Sequence, residues 1–142
     1  MSILVDTSVL VAFLNVKDPD HARAMGLMVE ILSRRHGEPF GTDKVLGEGL
    51  TLLQRRAAAK AVLSAYTDLF WGSDKAPPRL RLLFTEETLL RAATRLYFEH
   101  HRRKLSFTDC TLLAHAEATG ARIATFDRAL LAIAKGIGAA GA

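Results

Sequence analysis

Two runs of this chain, Ser2-Ile3-Leu4-Val5 and Arg122-Ile123-Ala124-Thr125, are short, rich in β-formers and free of the polar alternation that marks a half-solvated strand. A run of that kind fits a strand buried on both faces, the environment of a parallel sheet. Parallel neighbours cannot be joined by a hairpin; they need a long crossover, usually a helix, so the two runs point to helices packed on a sheet. The first run leads directly into Asp6, and the second leads through Phe126 into Asp127. Both acids therefore fall at the carboxyl ends of strands, where open α/β sheets form their ligand crevice.

The rest of the chain alternates in the same sense. A helix is expected from about Ser8 to Leu14, and Asp18-Pro19 opens a second that turns Met25, Val29 and Leu32 inward. Pro39-Phe40-Gly41 reads as a short strand or connector. Thr42 or Asp43 then caps a helix carrying Glu48, and a further helix holds Ala58, Ala61, Val62, Ala65 and Leu69. Trp71, at the end of that helix, is expected to pack rather than to stack on a base. Ser73 to Pro78 must be a loop. Leu82-Leu83-Phe84 reads as a strand. Thr85 is placed as the cap of a helix to about His100, with Leu89, Ala92, Ala93, Leu96 and Tyr97 as its core stripe. A helix with Asp109 ends at Gly120, and after Asp127 a last helix runs from Arg128 to Lys135.

Two more carboxylates occupy positions where solvation alone does not account for them. Asp109 shares its helix face with Leu112, Leu113 and Ala116, at spacings of three, four and seven. Glu48 lies at the edge of the face formed by Val45, Gly49, Leu52 and Leu53. Each acid alone has a plain structural reading. An aspartate after a strand often caps the next helix, Asp109 can cap locally alongside Ser106 or Thr108, and Glu48 can border a solvated face. Four buried carboxylates together repel one another, and must either take up protons or share a cation. Mg²⁺ or Mn²⁺ suits an all-oxygen set, whereas zinc calls for closely spaced His and Cys. His21, His36, His100, His101 and His115 offer no such spacing.

Composition sets the outer bounds. With 142 residues, 49% of them hydrophobic, the chain suits one domain over 1–142 with a sizeable core, its Gly/Ala tail from about 136 expected to be disordered. No basic leader precedes the first strand and no apolar run reaches the ~18 residues of a membrane span, so a soluble, cytoplasmic protein is expected. The single cysteine, Cys110, excludes an internal disulfide and reads as a packing residue. Between Arg79 and Lys104 seven basic residues face three acids, ending in His100-His101-Arg102-Arg103-Lys104 just before the Asp109 helix. Arg102, Arg103 and Lys104 are thus candidate phosphate contacts, with a solvated loop as the alternative. The net charge of +4 permits nucleic-acid binding without requiring it.

Together, Val5-Asp6-Thr7-Ser8-Val9-Leu10, the Glu48 helix, Leu105-Ser106-Phe107-Thr108-Asp109 and Thr125-Phe126-Asp127 resemble PIN-domain nucleases, especially the VapC-like toxins of toxin-antitoxin pairs. The resemblance spans nearly the whole chain. It implies an α/β/α sandwich with a central parallel sheet of four or five strands, and an acidic cluster of Asp6, Glu48, Asp109 and Asp127 binding Mg²⁺ or Mn²⁺. It also implies endonucleolytic cleavage of RNA, a homodimer and a small antitoxin partner. Thr7 and Thr125 match the small hydroxyl positions flanking the family's site, with a role in positioning water. The tail after Lys135 departs from the pattern, holding too little for the final edge strand of many relatives.

On this reading Asp6 and Asp109 are direct metal ligands, and Glu48 and Asp127 serve a second ion or orient bound water. The alternatives are a PIN nuclease of RNA processing, a non-catalytic metal-binding module that docks a protein, and a phosphate-accepting receiver domain. The last would want paired acids after the first strand, and Val5-Asp6-Thr7 supplies one.

Overall fold

The computed structural model describes residues 1–134 and 136–138. Five parallel strands form one sheet in the order β3-β2-β1-β4-β5: β1 Ser2–Val5, β2 Glu38–Thr42, β3 Arg81–Leu83, β4 Arg122–Thr125 and β5 Gly136–Gly138. The helices are α1 Thr7–Leu14, α2 His21–Leu32, α3 Asp43–Arg55, α4 Lys60–Trp71, α5 Glu87–Glu99, α6 Phe107–Thr119 and α7 Arg128–Leu131. A single 3-10 turn, His101–Arg103, joins α5 to α6. The strand order runs outward from β1 in both directions, so the chain reverses its winding between β1 and β4. That is the topological switch point at which open sheets bind ligands.

Both runs that opened the sequence argument fold as expected. Ile3, Leu4 and Val5 are fully buried, and β1 aligns Ile3, Leu4 and Val5 with Arg122, Ile123 and Ala124 of β4. The doubted last strand exists, because β5 pairs Gly136, Ile137 and Gly138 with Ile123, Ala124 and Thr125. Parallel pairing is made by main-chain groups, which glycine supplies as well as any residue, so side-chain poverty did not forbid it. The expected disorder of the tail is therefore corrected for 136–138; residues 139–142 lie outside the described residues. So does Lys135, the expected end of the last helix, which closes at Leu131.

Several inward faces differ from the sequence pattern. On α2 the buried residues are Ala24, Leu27, Met28 and Ile31, while Met25 and Val29 are exposed. That helix is apolar around much of its circumference, so its packing on α1, rather than its pattern, selects the face. On α4, Tyr66, Leu69 and Phe70 are buried and Ala61 is exposed, because the aromatic rings fill the space under the sheet. With Phe70 taking the inward position, Trp71 is left 58% exposed. Thr85 does not cap α5; Glu86 holds that place without a side-chain bond, and Tyr97 lies outside the core. The α6 segment Asp109–His115 is buried on every side, which carries Asp109 into the interior. Cys110 is a buried free cysteine, as its place in that segment requires.

Candidate active site

The carboxyl ends of β1 and β4 meet in a network built on Asp6. Its Oδ1 accepts the Thr7 N–H at 2.8 Å, and its Oδ2 accepts the hydroxyls of Thr125 at 2.6 Å and Ser8 at 2.9 Å. In turn the Phe126 N–H donates to Ser8 Oγ and the Asp127 N–H to Thr125 Oγ1, each at 3.0 Å. The turn after β4 is thus tied to the turn after β1 through two hydroxyls. Thr125 donates its one proton to Asp6, so it orients the carboxylate. Ser8 does the same from the first turn of α1 and was not singled out from sequence. The signal was a hydroxyl two residues beyond a strand-end aspartate, a position whose side chain can fold back on that acid. The Thr7 hydroxyl is buried and has no hydrogen-bond partner among the described residues.

Asp109 and Asp127 also hold structural posts with part of their carboxylates. Asp109 is the third residue of a capping box: its Oδ2 accepts the Ser106 N–H at 2.9 Å, while Ser106 Oγ accepts the Asp109 N–H at 3.0 Å. Asp127 caps α7, its Oδ1 accepting from the N–H groups of Ala129 and Leu130 at 2.8 and 3.2 Å. Asp109 Oδ1, Asp127 Oδ2 and the Glu48 carboxylate accept no hydrogen bond among the described residues. The capping reading and the cluster reading are therefore compatible, since each cap uses one oxygen and leaves the other.

Asp6 and Asp109 feel the charge of the other acids. Burial pushes the Asp6 carboxyl above its ordinary range against the pull of its three hydrogen bonds, and Glu48 adds to the rise. Burial pushes Asp109 up to about 6, and the charges of Asp6 and Asp127 push the same way against the Ser106 bonds. Tyr66, buried below, is driven upward by burial and by Asp6 and Glu48. Its hydroxyl donates to the Val45 carbonyl at 2.6 Å, and Gly49 makes room for it: a Cβ there would stand 1.9 Å from the Tyr66 oxygen. Tyr66 thus supports the α3 turn that presents Glu48, a contribution invisible in the sequence because the two residues meet only through folding.

Among the described residues, no three His, Cys, Asp or Glu side chains stand close enough to grip a metal ion together. The arrangement fits a cation that keeps much of its water shell and takes one or two carboxylates directly, as Mg²⁺ does. Buried carboxylates raised by desolvation and mutual repulsion are the donor set such a cation stabilises.

Outside this cluster, Thr85 donates to Asp43 Oδ1 at 2.6 Å and lies 2.9 Å from His115 Nε2, joining the turn after β3 to α3 and α6. Burial lowers the His115 pKa; burial raises that of Asp43, but the hydrogen bonds from Thr85 together with the charge and N–H of Lys44 hold it below its ordinary value. The basic run is exposed. Arg102 and Arg103 lie on the 3-10 turn, Lys104 has a left-handed backbone with φ 57°, and none of the three forms an ion pair among the described residues.

The PIN domain family model matches residues 3–136. A VapC ribonuclease of Archaeoglobus fulgidus is 23% identical over 129 residues, covering 89% of this chain and 78% of that protein. Among solved structures, VapC20 of Mycobacterium tuberculosis, described as a sarcin-ricin-loop-cleaving toxin, matches with a TM-score of 0.78 and 28% identity over 92% of this chain and 93% of that one. VapBC2 of Rickettsia felis, solved with a promoter DNA fragment, matches with a TM-score of 0.62 and 16% identity over 89% and 88% of the two chains, a likeness of fold alone.

Proposed function

The chain belongs to the PIN-domain family, and we propose on that footing that it is a metal-dependent endoribonuclease, the toxin half of a toxin-antitoxin pair. The observation that carries the reading is geometric: at the topological switch point the turns holding Asp6 and Asp127 are tied together through Thr125 and Ser8, and the buried Asp109 keeps one carboxylate oxygen out of its capping box. Its likeness to a VapC ribonuclease and to the VapC20 toxin favours RNA as the substrate and a toxin as the class.

Asp6 and Asp109 would hold a Mg²⁺ or Mn²⁺ ion directly, with Glu48 and Asp127 binding a second ion or orienting water. When bound, such an ion lowers the pKa of water and neutralises charge building on the phosphoryl oxygens. The chain's own residues do the positioning. Thr125 and Ser8 fix the Asp6 carboxylate by donating to Oδ2, and the capping box fixes Asp109 while leaving Oδ1 open. The unpartnered Thr7 hydroxyl would hold a water, whereas Thr125 would act through Asp6, to which it donates. Arg102, Arg103 and Lys104 would meet the phosphate backbone entering the site beside α6.

A small antitoxin, a homodimeric assembly, one domain over 1–142 and a cytoplasmic location complete the proposal. No helix among the described residues is long and apolar enough to cross a membrane. The test is cleavage of a pool of structured and unstructured RNAs with Mg²⁺, Mn²⁺ or EDTA, comparing the chain with Asp109→Asn. Discrete cuts that need both metal and Asp109 support the reading. Equal cutting by the variant would remove Asp109 from the mechanism, and metal binding without turnover would favour the docking module. A processing nuclease would give the same cuts, and the absence of a co-expressed inhibitor would separate it from a toxin.

A further inference from the structure

One groove beside the acids carries its own chemistry. It has a volume of about 640 Å³ and is lined by Lys44, Gly47, Glu48, Thr51 and Arg55 of α3, with Thr108 of α6 across from them. Lys44, Glu48, Thr51 and Arg55 recur at intervals of four, three and four, so they form one stripe along α3. At 1.5 Å per residue the stripe extends roughly 16 Å. It begins next to Asp43, passes Glu48 and ends at Arg55.

We propose that this stripe is the track for the single-stranded RNA backbone on one side of the scissile phosphate, with Lys44 and Arg55 as its phosphate contacts. The inference rests on the ribonuclease reading above and adds the residues that hold the strand. Three observations carry it. Arg55 makes no ion pair among the described residues, although it lies on an exposed turn of α3. Asp43, next to Lys44, gives its Oδ1 to the N–H groups of Lys44 and Thr85 and to the Thr85 hydroxyl, and the Lys44 ammonium forms no ion pair with Asp43 or Glu48 among the described residues. Gly47 lies mid-helix, where glycine is unfavourable, and a Cβ there would meet nothing within 4 Å. No packing contact requires that glycine; its effect is to leave the groove open beside Glu48. The hydroxyls of Thr51 and Thr108 line the two walls, suited to phosphate oxygens and ribose 2′-OH groups. Arg55 also complements the C-terminal end of α3, but that role would not register in RNA binding.

The test is single-stranded RNA binding, followed by anisotropy across a salt series, for Asp109→Asn with and without Lys44→Gln/Arg55→Gln. Loss of two phosphate contacts should weaken binding at least tenfold and flatten the slope of log K against log salt by about 1.4. In the otherwise intact chain, Gly47→Phe should fill the groove and raise KM at least fivefold with its melting temperature kept. If the chain cleaves RNA but the double variant binds with unchanged affinity and slope, the track is elsewhere and the nuclease reading stands. If the chain neither binds nor cleaves RNA, the nuclease reading itself falls and this inference with it.

Discussion

Gly49→Ala should destabilise the protein, whereas the same substitution two residues earlier in α3, Gly47→Ala, should stabilise it. Alanine is favoured over glycine in a helix interior by about 1 kcal/mol, so propensity alone predicts a gain at both sites. At Gly47 nothing lies within 4 Å of the added Cβ, and the gain should appear in full. At Gly49 the Cβ would stand 1.9 Å from the Tyr66 hydroxyl oxygen and 2.1 Å from its ring carbon Cζ. Tyr66 cannot swing aside cheaply, since it is fully buried and its hydroxyl donates to the Val45 carbonyl at 2.6 Å. Overpacking costs roughly 1–3 kcal/mol, and a buried hydroxyl torn from its partner about 1–3 more. Set against the propensity gain, the net loss is about 1–5 kcal/mol. Urea denaturation of both variants measures it, and a Tyr66→Leu background provides the control, because Gly49→Ala should cost much less once the ring is gone. If Gly49→Ala proves as stabilising as Gly47→Ala, the packing of Tyr66 beneath the Glu48 turn is wrong.

Asp109 supplies a second prediction with a defined sign. Its folded pKa of about 6 exceeds the ordinary carboxyl value of 3.8, so its stabilising contribution is full below about pH 4 and is lost as pH rises through 6. In metal-free buffer, Asp109→Asn should therefore gain on the parent chain by about 1–3 kcal/mol between pH 4 and 7. His115 titrates in both proteins and cancels in that difference, so a flat difference would refute the shift. Mg²⁺ or Mn²⁺ should raise the melting temperature of the parent at pH 7.5 and leave Asp109→Asn nearly unmoved; equal shifts would count against Asp109 as a ligand. Thr85→Val should cost about 1–3 kcal/mol in denaturation by stranding the Asp43 and His115 partners of its hydroxyl, and a neutral result would show that bridge to be idle. Arg102→Ala/Arg103→Ala should weaken RNA binding and reduce its salt slope, whereas an unchanged slope would mark the 3-10 turn as mere solvated surface.

Much of the fold was legible where a local rule had only one way to be satisfied. Ser2–Val5 and Arg122–Thr125 were located to the residue because an unbroken β-rich run suits only a strand covered on both faces. Gly120 as the stop of α6 followed from capping chemistry carried by a single residue, and the same chemistry narrowed the cap of α3 to Thr42 or Asp43, of which the structure uses Thr42. Errors arose where two faces of one helix were equally apolar. Met25 and Val29 were turned inward, and Tyr66 was passed over for Ala61, because periodicity reports that a helix has an apolar face without saying what lies opposite it. Thr85 looked like a cap from its neighbours, yet its hydroxyl is drawn to Asp43, 42 residues away in sequence.

At the candidate site the division is the same. The sequence by itself determined which acids end strands or ride in an apolar helix face, because strand ends and helix stripes are set within a few residues by backbone hydrogen bonding and side-chain period. Tertiary structure decided that Thr125 reaches Asp6 across 119 positions, that Ser8 shares the task, and that Tyr66 underlies Glu48. It also decided how far each acid is desolvated, and therefore that Asp109 is pushed up to about 6. Those properties depend on distances between segments remote in sequence and on the exclusion of water by all of them together, and neither exists until the sheet has closed around its switch point.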